Sequence, residues 1–459
     1  MSQQLPSALL SSLQTAKGFD EAAFVRTHAS GEQIVSIRLN PAKCEPAQLE
    51  LAVGDKVPWS SNGYYLPARP SFTLDPMFHA GAYYVQEASS MFIEEAVRQC
   101  CAVSEPLKAL DLCAAPGGKS TLLQSVLSAE SLLVSNEVIK TRAAILAENI
   151  TKWGAPNVVV TNNDPKDFQR LPGFFDLIVV DAPCSGSGLF RKDPSAMEEW
   201  SLNNVELCSQ RQQRILADVL PSLKDGGVLI YSTCSYSEKE DEEIADWLLS
   251  EEGLQMENIR LQIKPDWNIV ESSSKNKTAY GYRFYPDKVK GEGFFIAVFR
   301  KLGAAVTQKQ SAGKSKPLLP TKQEVAVVQK YVSDDEMFSL LKLKDEVIVF
   351  PSVQFENMLL LQSLLYLKKA GIKAGTVIRD ELVPDHELVM STIMSGTIRR
   401  VEVDKETVLD YLRRKDVHIE AEKKGWAIIT YHGLNIGLAK ILPNRVNNYY
   451  PREWRIINK

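Results

Sequence analysis

Two rhythms of apolar and polar positions run along this chain. Between about residues 107 and 301, short apolar runs that end in acids, amides or small residues alternate with longer stretches whose apolar positions recur at helical spacing. The runs LKALDL (107–112), LLVSNE (132–137), NVVVTN (157–162), FDLIVVDA (175–182), GGVLIYST (226–233) and GFFIAVFRK (293–301) predict strands. Helices are predicted from Gly118, from Lys140 to Trp153 with Gly154 as the stop, near 205–222, and beyond the acidic stretch after Cys234. Strand and helix in alternation predict an α/β fold with a doubly wound, parallel sheet.

The flanks follow other patterns. Residues 1–75 hold a short helical start and IVSIRLNP (34–41), too little for a large domain, and are expected to pack on the core as a small N-terminal subdomain. From 301 to 322 the chain has five lysines, no acids and little apolar periodicity, which marks a solvated linker. Beyond it, GWAIITYHGLNIGLAKIL (425–442) alternates and is punctuated by glycine as in a small β-barrel. The expected domains are 1–75, a catalytic core at 76–302, a linker at 303–322, an intermediate α+β segment at 323–385 and a C-terminal barrel at 386–459.

Composition narrows the class. The 459 residues are 44% hydrophobic, with no apolar run long enough to cross a bilayer and no secretory leader, so a cytoplasmic protein is expected. Seven cysteines show neither a disulfide framework nor a CxxC pair, so reduced thiols and no metal site are expected. The net charge of −4 argues against a uniformly basic coat, yet Arg399 to Lys459 holds thirteen Lys or Arg against eight Asp or Glu, a possible basic patch for a polyanion. With no coiled-coil seam, a monomer is expected.

Candidate chemistry gathers at predicted strand ends. ALDLCAAPGGKSTLLQSVL (109–127) is a strand, a turn of small residues and a helix, an arrangement that sets backbone N–H groups against a ligand. It is not a phosphate loop, because Cys113 stands where the first Walker glycine belongs. Asp111, Glu137, Asp164 and Asp181 each close a strand-like run, and acids so placed suit the ribose and cationic groups of S-adenosyl-L-methionine. Two thiols, Cys184 in IVVDAPCSGSG (178–188) and Cys234 in GGVLIYSTCSYSEKEDEE (226–243), follow strands on the same sheet edge. A thiolate beside a methyl donor has a specific use: added to carbon 6 of cytosine, it makes carbon 5 nucleophilic, and a base must then remove the carbon 5 proton. Asp181 is placed to hydrogen-bond the N3 and amino edge of that base.

DLCAAPGGKS, DAPCSGSG and YSTCS resemble the motifs of the RNA cytosine-C5 methyltransferases of the Sun-domain (NSUN-like) type, HAGAYYVQEASSMF (79–92) resembles their entry segment, and GEGFFIAVFRK their last strand. The tail LNIGLAKILPNRVNNYYPREWRI resembles the PUA-like module of the bacterial RsmF-like branch, which modifies 16S rRNA. The resemblance implies a Rossmann-like methyltransferase core with a PUA-like C-terminal barrel, and RNA, 16S rRNA or the small subunit, as partner. It implies Cys234 as nucleophile and Cys184 as the residue that helps release product. It also implies that Cys113, Ala114, Ala115, Pro116, Gly117, Gly118, Lys119, Glu137, Asp164 and Asp181 line the cofactor, with Lys119 and Asp181 reaching the cytosine. SEKEDEE departs from the family pattern in lacking the usual proline and asparagine, and Asp287 stands where a histidine is frequent. Arg283, Phe284 and Tyr285, with Tyr449, Tyr450 and Trp454, are candidates for stacking on RNA, against the alternative that each is core. The competing readings are a transfer RNA or DNA substrate, an inert RNA-binding assembly factor, and a nucleotide hydrolase, the last disfavoured by the missing glycine.

Overall fold

In the computed structural model, which describes residues 5–251, 253–276, 279–303, 318–419 and 424–457, three N-terminal strands pair antiparallel in the order β2-β1-β3. They are β1 (Val35–Leu39), β2 (Gly63–Leu66) and β3 (Tyr83–Val85), the last contributed by the segment that follows residue 75. Residues 304–317, most of the expected linker, lie outside the described residues.

The central sheet is built on β4 (Lys108–Asp111), β5 (Leu132–Asn136), β6 (Val158–Thr161), β7 (Phe175–Asp181) and β8 (Leu223–Thr233). These run parallel in the order β6-β5-β4-β7-β8. β5 and β6 are buried along their whole length, as continuous Val and Leu runs between two helical layers must be. The strand order reverses between β4 and β7, and ligands of open parallel sheets bind outside the carboxyl ends at that switch point. The helices follow the apolar spacing: Gly118–Val126, Lys140–Trp153, Leu202–Val219 and Glu242–Ser250. Gly154 ends the second of these in the left-handed region at φ 88°.

Both sheet edges carry antiparallel strands. On one side β9 (Met256–Ile259), β10 (Val270–Ser273), β11 (Tyr280–Phe284) and β12 (Phe294–Lys301) add antiparallel strands, with β12 against β8. On the other, past two strands β13 (Phe338–Leu343) and β14 (Glu346–Pro351), the strand β15 (Leu367–Ala370) pairs antiparallel with β6. β12 is the predicted run 293–301, while β9, β10, β11 and β15 go beyond the sequence expectation. The segment 323–385 is therefore tied into the catalytic sheet, and its Phe350, Met358 and Leu361 share an apolar core with Val159, Phe168 and Ile178.

Two four-stranded sheets make up most of the C-terminal part. One joins β13 and β14 to β16 (Ile372–Ile378) and β17 (Glu381–Pro384); the other is β18 (Arg399–Glu402), β19 (Gly425–Tyr431), β20 (Leu434–Leu442) and β21 (Arg445–Asn448). The alternating run at 425–442 is a tight hairpin whose turn residues His432 and Gly433 have φ of 50° and 75°. The two sheets share one core, Val347 and Leu382 with Ile428 and Leu438. Ile429 and Ile436 also pack with Val35, Ile37 and Tyr83, so the C-terminal sheet seals the N-terminal one.

Candidate active site

The loop after β4 is held open by its neighbours. Gly117 adopts φ 118°, a conformation costly for a residue with a Cβ, and no side chain caps the helix that starts at Gly118. The Ala115 carbonyl accepts from Arg142 and the Pro116 carbonyl from Asn149, both at 2.8 Å, so the helix Lys140–Trp153 holds the carbonyl side of the loop. The first N–H groups of the Gly118 helix have no intrahelical partner and face the crevice end of the sheet. From the other side Arg38 of β1, wholly buried, donates to the Gly118 carbonyl at 3.2 Å and the Thr121 carbonyl at 3.3 Å. Tyr84 of β3 lies where a Cβ on Gly118 would come within 3.2 Å of its ring.

The acids stand where the strands end. Asp111 is fully buried; one oxygen accepts from Ser120 Oγ at 2.7 Å, and the other has no hydrogen-bond partner among the described residues. Burial pushes its pKa up to about 7. Glu137 is buried at the end of β5, accepts from the Ile139 amide at 2.9 Å and faces Arg142 at 3.6 Å, while Val138 and Ile139 beside it are exposed. Asp164 follows β6 and caps the turn at Lys166. An orphaned buried carboxylate oxygen, an uncapped helix start and an acid beside exposed apolar side chains suit the cationic, ribose and base parts of S-adenosylmethionine.

The thiols meet. Asp181 and Ser232 are paired in register at the ends of the adjacent parallel strands β7 and β8, and the loops beyond them bring Cys184 Sγ to 2.9 Å from Cys234 Sγ. Both sulfurs are half-buried. Asp181 accepts from Ser232 Oγ at 2.9 Å and pairs with Lys119 Nζ at 2.6 Å, which links the thiol pair to the cofactor loop. Burial works against the Lys119 charge, but Asp181 outweighs it and holds the ammonium above its usual range. The hydrogen bond to Cys234, then burial, holds the Cys184 thiol well above the ordinary range, so Cys184 keeps its proton.

Ser185 and Ser235, each directly after one of these cysteines, turn to a buried carboxylate, Glu240, at 2.5 and 2.7 Å. Neither Glu240 nor Arg38 stood out in the sequence: one is an acid in an acidic stretch, the other an arginine in a strand, and the contacts of Arg38 with the Gly118 helix and of Glu240 with Ser185 and Gln212 lie far along the chain. Cys113, in the loop, and Cys208, on a buried helix face, have thiols raised by burial.

Four of the six candidate stacking positions take the core alternative. Arg283, Phe284 and Tyr285 are core: Arg283 is 2% exposed, donates to Glu242 Oε1 at 2.7 Å and to the Tyr236 carbonyl at 2.8 Å, and pairs with Asp241 at 3.4 Å. They sit on β11 and the turn after it, where burial on both faces overrides the polar look of the segment. Tyr450 is buried as well, and Trp454 packs on His386 at 5.2 Å. Tyr449 is exposed, against Trp426, which also carries Lys440 over its ring at 4.8 Å.

With this geometry in place, comparison with known proteins is decisive. Residues 101–300 match the family described as 16S rRNA methyltransferase RsmB/F, residues 5–88 the N-terminal domain of 16S rRNA methyltransferase RsmF, and residues 398–456 the methyltransferase RsmF PUA domain. The ribosomal RNA small subunit methyltransferase F of Aliivibrio salmonicida (strain LFI1238) is 31% identical over 441 residues, 91% of this chain and 90% of the relative. That of Aeromonas salmonicida (strain A449) is 30% identical over 463 residues, covering 94% and 95%. The chain belongs to the RsmF family of 16S rRNA methyltransferases. A methyltransferase homolog protein from Pyrococcus horikoshii is 27% identical and superposes with a TM-score of 0.51 over 65% of this chain and 100% of that one. NSun6 from the same organism, solved with SFG, shares the fold at 20% identity and a TM-score of 0.53, over 65% and 99%. The family is that of S-adenosylmethionine-dependent RNA methyltransferases, as the motifs implied. Among the described residues no helix is long and apolar enough to cross a membrane.

Proposed function

We propose that this chain methylates carbon 5 of a cytosine in 16S rRNA, through a covalent bond between Cys234 Sγ and carbon 6. The observation that carries this reading is the 2.9 Å approach of the two thiols beside the Lys119–Asp181 pair, at the switch point of the sheet.

S-adenosylmethionine would supply a methyl group on a sulfonium, which carbon 5 would take once carbon 6 bears sulfur, the S–CH3 bond breaking to leave the neutral thioether S-adenosylhomocysteine. The residues from Cys113 to Lys119, with Asp111, Glu137 and Asp164, hold this cosubstrate against the loop. Cys234, the nucleophile that the YSTCS motif implies, adds to carbon 6. Asp181 accepts from the amino edge of the cytosine, and Lys119 beside it offsets charge that builds on the ring. In the last step the carbon 5 proton leaves to water, the bond from carbon 6 to sulfur breaks, and the electron pair returns to Cys234. Cys184, still protonated, donates to that departing sulfur.

A base inside a duplex is out of reach, so the target is unpaired or flipped. The exposed Tyr449, with the half-buried Trp426 and Lys440 beside it, supplies a stacking and cationic surface on the C-terminal sheet. The protein is read as a cytoplasmic monomer, with RNA-binding modules at both ends of a catalytic core.

The test is methylation of small subunits, naked 16S rRNA and bulk transfer RNA from cells lacking the protein, followed by bisulfite mapping. Protection of a cytosine in 16S rRNA is expected; label confined to transfer RNA, or none in 5-methylcytosine, overturns the reading.

A further inference from the structure

Each of the two cysteines is followed directly by a serine, and both serines reach one carboxylate. Glu240 is completely buried. Its Oε1 accepts from the Ser185 amide at 2.8 Å and from Gln212 at 3.2 Å; its Oε2 accepts from Ser185 Oγ at 2.5 Å and Ser235 Oγ at 2.7 Å. Gln212 also donates to the Pro183 carbonyl at 3.1 Å, and the Tyr231 hydroxyl to the Glu240 carbonyl at 2.6 Å. The carboxylate thus grips both residues that follow the thiols, and a neighbour of the residue that precedes Cys184.

The strand ladder does not do this alone. Its last rung is Asp181 with Ser232, two residues short of Cys234 and three short of Cys184. The loops are tied again at and just beyond Cys234, where the Gly188 amide donates to the Cys234 carbonyl at 2.9 Å and the Tyr236 amide to Ser187 Oγ at 3.0 Å. Between those points the two loops are joined by Glu240 and by a longer direct contact of Ser185 Oγ with Ser235 Oγ at 3.4 Å. Burial raises its pKa, and the bonds from Ser185, Ser235 and Gln212 pull in the opposite direction, as a carboxylate kept for its acceptor capacity requires.

We propose that Glu240 is a positioning residue for product release: it sets the Cys184 loop against the Cys234 loop, a contact that expulsion of the thiol needs and adduct formation does not. The inference rests on the roles assigned to the two cysteines above. Adduct formation requires only Cys234 and the base. Release requires the Cys184 S–H within reach of the Cys234 sulfur as the bond to carbon 6 breaks and the pair returns to that sulfur. Misplacement of a reacting group by about 1 Å costs on the order of 10²-fold in rate.

The experiment compares Glu240→Ala and Glu240→Gln with Cys184→Ala and Cys234→Ala, using small subunits from cells lacking the enzyme and S-adenosylmethionine. Covalent RNA adduct is read on denaturing gels, released 5-methylcytosine by nuclease digestion, and S-adenosylmethionine affinity by calorimetry. Glu240→Ala is expected to release product on the order of 10²-fold more slowly, to accumulate adduct as Cys184→Ala does, and to bind S-adenosylmethionine as the wild type does. Glu240→Gln, which keeps one acceptor oxygen, should fall between; if the alanine variant does not fold, the glutamine variant decides by the same readouts. Release at the wild-type rate, or loss of adduct formation in parallel with release, overturns the inference. Adduct surviving in Cys234→Ala would instead overturn the cysteine assignment, which separates the two failures.

Discussion

Asp111 combines complete burial with an oxygen that no described donor meets, and its pKa stands at about 7. The charge of this group is therefore only half developed near neutrality. A cation bound beside it favours the ionised form, so the free carboxyl gives up a proton as the cation arrives. S-adenosylmethionine is expected to bind more tightly as pH rises through about one unit either side of 7, with proton release on binding, and Asp111→Asn should flatten the dependence. Calorimetry in buffers of differing ionisation heat measures both. At this scale the sequence was informative where chemistry follows position: acids and thiols at the ends of apolar runs fall on one rim whatever the details of packing. It was silent on Arg38 and Glu240, because the partners of Arg38 in the Gly118 helix and of Glu240 in the Cys184 loop come from distant segments.

Among the elements, the parallel strands β4 to β8 declared themselves by continuous apolar runs, since burial on both faces leaves no polar alternation to confuse them. β11 did not. Its Tyr-Gly-Tyr-Arg-Phe mixture reads as a surface segment, and only the acids at the start of the helix Glu242–Ser250 explain why an arginine is buried there. β15 was equally obscure, since an edge strand of Leu-Lys-Lys-Ala is recognised by its partner rather than by its own composition. The core assignment of β11 has a direct consequence. Arg283→Ala leaves Asp241 and Glu242 buried without their cation, so urea unfolding should show a loss of about 3–5 kcal/mol. A variant of unchanged stability but weakened RNA affinity would return Arg283 to the RNA surface.

For the whole molecule, the N-terminal sheet, the catalytic sheet and the C-terminal sheets meet at one half-buried lysine. Lys43 Nζ donates to the Ala80 carbonyl at 3.0 Å, the Lys152 carbonyl at 2.6 Å and the Met390 carbonyl at 2.7 Å, one from each part. Leaving a buried acceptor unmet costs about 1–3 kcal/mol. Lys43→Met should therefore speed amide hydrogen exchange around residues 386–392 while S-adenosylmethionine affinity holds; unchanged exchange there would show that the junction does not depend on it. Such joints were unreadable in the sequence, where a lysine, an alanine and a methionine far apart carry no signal. What they support is the rim at which the donor loop and the two thiols converge, and the central claim concerns those sulfurs. Cys184→Ala, incubated with S-adenosylmethionine and small subunits from cells lacking the protein, then digested and analysed by mass spectrometry, addresses it directly. The account predicts a cytidine adduct on the peptide carrying Cys234 and on no other cysteine; an adduct on a different cysteine, or none at all, would contradict it.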